Sequence, residues 1–68
     1  MREELIERAR QVLRGRKFID AKKLARKLGV STHVAAYILR KLREAGTVTV
    51  WADRRGYRKV YLITTPQP

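Results

Sequence analysis

Between residues 20 and 46 the segment DAKKLARKLGVSTHVAAYILRKLREAG carries two apolar stripes of helical period, separated by only Gly29, Val30 and Ser31. A junction that short leaves room for a tight turn and for nothing else, so the two helices must pack directly on each other. In the first of them, from about Ala21 to Leu28, Leu24, Ala25 and Leu28 form the inner face. In the second, from about Thr32 to Ala45, Ala35, Ile38, Leu39 and Leu42 recur at i, i+3, i+4, i+7. His33, Tyr37, Arg40, Lys41 and Glu44 are expected on its opposite side. The punctuation is chemical. Asp20 and Ser31 can each accept hydrogen bonds from the free amides of a helix start. Gly29 and Gly46 suit the left-handed conformation in which helices commonly end.

Upstream, Leu5, Ile6, Ala9, Val12 and Leu13 make one stripe of an amphipathic helix over residues 2 to 14, with Glu3 and Glu4 near its start and Arg14 near its end. That order suits the helix dipole. Gly15 stops the helix, and Phe18 and Ile19 then form an apolar step, a short first strand, just before Asp20. Downstream of Gly46 the period changes from 3.6 to 2 in Thr47 to Trp51. A second β-rich run, Tyr57 to Ile63, is expected to pair with it through a turn at Asp53, Arg54, Arg55 and Gly56. Val60, Tyr61, Leu62 and Ile63 are continuously apolar, so alternation leaves open which of them face inward. Residues 64 to 68, TTPQP, read as a frayed tail. The expectation is one α+β domain over residues 1 to 68: three helices, a helix-turn-helix at 20 to 46, and a two-stranded hairpin wing at 47 to 63.

Charge then points to a partner. The chain has 17 Lys and Arg against 6 acidic residues, a net +11. Residues 21 to 68 hold +9 of it, on the two elements that such a domain presents to nucleic acid. A field of that size opposes compaction and favours a polyanion. In the helix-turn-helix, the second helix enters a groove by its amino-terminal half, which nominates Thr32, His33, Ala36 and Tyr37, with Arg40 and Lys41 further along. Lys22, Lys23, Arg26 and Lys27 lie where the preceding helix would cross a sugar-phosphate backbone and would position the protein without reading sequence. In the hairpin, Arg54, Arg55, Arg58 and Lys59 are interleaved with Trp51 and Tyr57, a mixture suited to minor-groove insertion or to stacking on splayed RNA bases. Each of these side chains could instead be a solvated surface residue, and Trp51 could simply cover the sheet edge.

Other classes find little support. The chain has no cysteine and one histidine, which argues against a disulfide framework, a metal site or a cofactor. No phosphate-cradling or dinucleotide glycine motif occurs, and the few carboxylates are accounted for by caps, dipoles and turns, so no enzyme or small-molecule substrate is expected. No apolar run approaches the roughly 20 residues that span a bilayer. The amino end lacks the apolar stretch of a signal peptide, and a cytoplasmic location is expected. The absence of Cys and Asn, with abundant Arg, Lys and Glu, fits a high growth temperature.

The segment FIDAKKLARKLGVSTHVAAYILRKLREAGTV, followed by a hairpin ending in VYLI, resembles the winged helix-turn-helix superfamily. The same residues look like the small-subunit ribosomal protein family twenty-five of archaea and eukaryotes. The likeness runs through Ile19, Leu24, Leu28, Ala35, Arg40, Leu42, Gly46 and Val48 to the closing Val60 and Tyr61. That resemblance implies binding of ribosomal RNA in the small subunit. A second reading stays open, a regulator or chromatin protein on double-stranded DNA, for which pairing of copies through the first helix or the hairpin edge would be expected.

Overall fold

The computed structural model describes residues 2–54 and 58–64. In chain order the elements are α1 (Arg2–Leu13), β1 (Phe18–Asp20), α2 (Ala21–Leu28), α3 (Thr32–Glu44), β2 (Val48–Arg54) and β3 (Arg58–Ile63). Helix boundaries fall within one residue of those expected, and those of α2 and α3 are set by local caps. Asp20 Oδ1 accepts from the Lys23 amide at 2.8 Å, and Ser31 Oγ from the Val34 amide at 3.1 Å. At the other end of α2, Gly29 has φ 72°, and the amides of Gly29 and Val30 both donate to the Ala25 carbonyl. Only a residue without a Cβ takes that conformation freely.

The three strands form one antiparallel sheet in the order β1-β3-β2. Phe18 to Asp20 thus belong to the sheet and do not merely precede it: Phe18 pairs with Leu62, Ile19 with Tyr61 and Asp20 with Val60. On the other side β2 pairs with β3 from Val48↔Ile63 to Arg54↔Arg58, with a register shift at Trp51. The turn expected at Asp53 to Gly56 is therefore corrected. Asp53 and Arg54 are still strand, paired with Lys59 and Arg58, and Arg55, Gly56 and Tyr57 lie outside the described residues. The start of the tail is also corrected. Thr64 is tied back, its amide to the Thr47 carbonyl and its hydroxyl to the Gly46 carbonyl, each at 2.9 Å, and residues 65–68 lie outside the described residues.

One face of the sheet is covered by helices. Ile19, Val48 and Tyr61 join Ala9, Leu13, Leu24, Ala25, Leu28, Ala35, Ile38, Leu39 and Leu42 in a single core, and Val50 and Ile63 pack against it. This resolves the Val60 to Ile63 run: Tyr61 and Ile63 face inward, and their neighbours lie on the other face. A fully buried Leu contributes about 1.5–3 kcal/mol. Exposed ion pairs of the kind made by Glu7 with Arg10 and Lys41 with Glu44 are worth about 0.3–0.5 kcal/mol. Packing, rather than charge pairing, holds the fold. Among the described residues no helix is long and apolar enough to cross a membrane.

Candidate nucleic-acid interface

Helix α3 buries Ala35, Ile38, Leu39 and Leu42, and this decides what its other side can present. His33, Ala36, Arg40 and Arg43 follow at spacings of three, four and three, and all four are exposed. Residues so spaced share one face of a helix. They therefore form a stripe along α3, with the small Ala36 at a point where a base edge or backbone can approach closely.

The stripe forms one wall of an open groove of about 660 Å³. Lys59 and Tyr61 of β3 line its other wall, and Leu5 of α1, Val34 and Ile38 contribute apolar lining. Arg40, Arg43, Lys59 and His33 all reach it, and no acidic residue is among its described lining. The groove is basic because α3 and the helix-facing side of β3 converge there.

Tyr37 occupies the flank of the stripe. It is half-buried and packs against the core, so it points less fully outward than its helical position alone suggests. The Arg40 guanidinium carbon lies 5.8 Å from its ring centroid and the Lys41 Nζ lies 5.6 Å from it. Cations at that range are attracted to the ring face. Tyr37 thereby holds Arg40 at the groove, and Lys41, also 3.6 Å from Glu44, is turned toward its own helix.

The remaining sequence candidates fall in three places. Lys22, Lys23, Arg26 and Lys27 are exposed on α2 and Thr32 is exposed at the start of α3, all outside the groove lining. Trp51 stands on the opposite face of the sheet, where its ring meets Phe18. The side chains of Arg54 and Arg58, and Arg55 altogether, lie outside the described residues. The structure thus brings together His33, Ala36, Tyr37, Arg40 and Lys59, and it adds Arg43, Leu5 and Tyr61, which sequence reasoning did not nominate. Arg43 could have been found from its spacing of three after Arg40; Tyr61 and Leu5 depend on how the sheet and α1 pack around α3, which no local pattern encodes. No protein-family model matches the chain, and no curated sequence is significantly similar to it.

Proposed function

We propose that this chain is a non-enzymatic nucleic-acid-binding domain of winged-helix type, with structured RNA, foremost ribosomal RNA of the small subunit, as its partner. In this reading α3 is the helix that enters a groove, α2 crosses the backbone, and the β2–β3 hairpin is the wing. The observation that carries it is the convergence of His33, Arg40, Arg43 and Lys59 on one groove whose described lining holds no acid. Arg40, Arg43 and Lys59, gathered on a lining with no acid among its described residues, repel one another, and a phosphate backbone relieves that repulsion as its condensed counterions are released. Arg40 and Arg43 can each fork onto a phosphate or onto a guanine edge.

RNA is favoured by the aromatic content of the exposed surface, where Phe18 and Trp51 stand in solvent. Such rings suit the splayed bases of single-stranded and looped RNA. The second reading, double-stranded DNA, is supported by the α3 stripe, since an α-helix fits a major groove about 12 Å wide. Sedimentation of native extract through a sucrose gradient, after DNase or after RNase, separates the two. The RNA reading expects the protein to travel with small ribosomal subunits after DNase and to be released by RNase. Loss of its large complex to DNase alone would assign it to DNA.

A further inference from the structure

Phe18 and Trp51 are the two exposed large hydrophobic side chains among the described residues, at 43% and 62% exposure. They are far apart in sequence and on the two edge strands of the sheet, yet their ring centroids are 5.5 Å apart and their planes are inclined by 60°. The central strand β3 runs between them. Leu62, the register partner of Phe18 and of Thr49, is only partly buried and is absent from the side chains packed on the core, as is Val60. Trp51 itself has no register partner, because the β2–β3 pairing shifts there between Val50 and Ala52. An irregularity of this kind re-aims a side chain without ending the sheet. The result is an aromatic and aliphatic patch on the face of the sheet that no helix among the described residues covers.

A cation adjoins it: Lys17, exposed, immediately precedes Phe18. A chain of net +11 pays heavily in repulsion to lay this face on a second copy of itself. Flat aromatic rings beside cations instead match nucleobases on a phosphate strand, where stacking and backbone attraction act together.

We propose that the Phe18–Trp51 face is a second nucleic-acid contact, which stacks unpaired bases of an RNA strand. It rests on the nucleic-acid-binding reading above but is distinct from the α3 groove. Lys59 and Tyr61 line that groove from the helix-facing side of β3, whereas Phe18 and Trp51 stand on the other side. One chain could thus hold a helical segment of RNA on one side of its sheet and a single-stranded segment on the other.

The test compares a short blunt RNA duplex with the same duplex carrying a single-stranded extension, by fluorescence anisotropy. The extension should tighten binding by about tenfold, the effect of a single base–aromatic stack. Trp51→Ala and Phe18→Leu should remove that gain and leave blunt-duplex affinity unchanged, with only the small drop in melting temperature that loss of one exposed ring contact brings, and Trp51→Phe should restore most of the gain. Equal loss on both RNAs, or no gain from the extension in the unaltered protein, overturns the proposal and leaves the groove reading standing. Failure to bind either RNA removes both readings. Concentration-dependent self-association abolished by Trp51→Ala would assign the face to a second copy and overturn the proposal too.

Discussion

The Asp20 carboxylate accepts a hydrogen bond from the Lys23 amide at 2.8 Å, so the residue that ends β1 also begins α2. Through the Asp20↔Val60 pairing the same residue belongs to the sheet, and α2 is joined to the sheet without a linker. Asp20→Ala should therefore lower stability by about 1 kcal/mol. Asp20→Asn should retain most of it. Urea unfolding of the three proteins checks this, and an alanine variant as stable as the parent would show that the cap contributes nothing.

Adjacent positions on α3 have opposite duties. Leu39 is fully buried and Arg40 is exposed beside the groove. Leu39→Ala should cost about 2–5 kcal/mol. Arg40→Ala should leave unfolding almost unchanged and weaken RNA binding by about tenfold, the loss of a charged hydrogen bond. A melting curve and a binding isotherm for each variant suffice. An Arg40 variant that unfolds early and binds normally would reverse the face assignment.

The turn between α2 and α3 depends on Gly29 at φ 72°. A Cβ there would meet nothing within 4 Å, so any cost of Gly29→Ala comes from backbone conformation and not from crowding. That cost is about 1 kcal/mol or somewhat more. Gly29→Asn should be milder, since asparagine tolerates the left-handed region better than alanine. Equal stabilities for the two variants would contradict this account.

Backbone contacts leave a mark in salt. Each phosphate neutralised contributes about 0.7–0.9 to the slope of log affinity against log salt. Replacing Lys22, Lys23, Arg26 and Lys27 with glutamine should flatten that slope in proportion to the contacts α2 makes, with no change in preference among sequences. An unchanged slope would remove α2 from the interface.

The helices were legible because their information is local. Asp20, Gly29, Ser31 and Gly46 mark the ends, and the stripes between them set the buried faces. The sheet was less so. The apolar step at Phe18 and Ile19 announced a short strand, but its place at the sheet edge beside β3 depends on Leu62, Tyr61 and Val60 being available to pair with it. The Val60 to Ile63 run showed no alternation, and its inward face was settled by Ile19 and Val50 pairing on either side of Tyr61. Strand β2 continues into the expected turn because Asp53 and Arg54 find partners in Lys59 and Arg58. Of the candidate interface, Arg40 and Lys59 could be nominated from charge. Their meeting across a groove is a property of the packed molecule, and so is the pairing of Phe18 with Trp51 across the sheet.

The central claim, that the α3 groove holds nucleic acid, is tested most directly by amide chemical shifts of the isotope-labelled protein titrated with a short RNA hairpin at two salt concentrations. The account predicts shifts that map to His33, Ala36, Arg40, Arg43 and Lys59 and that diminish as salt rises. Binding that leaves those amides unmoved, or that is indifferent to salt, would contradict it.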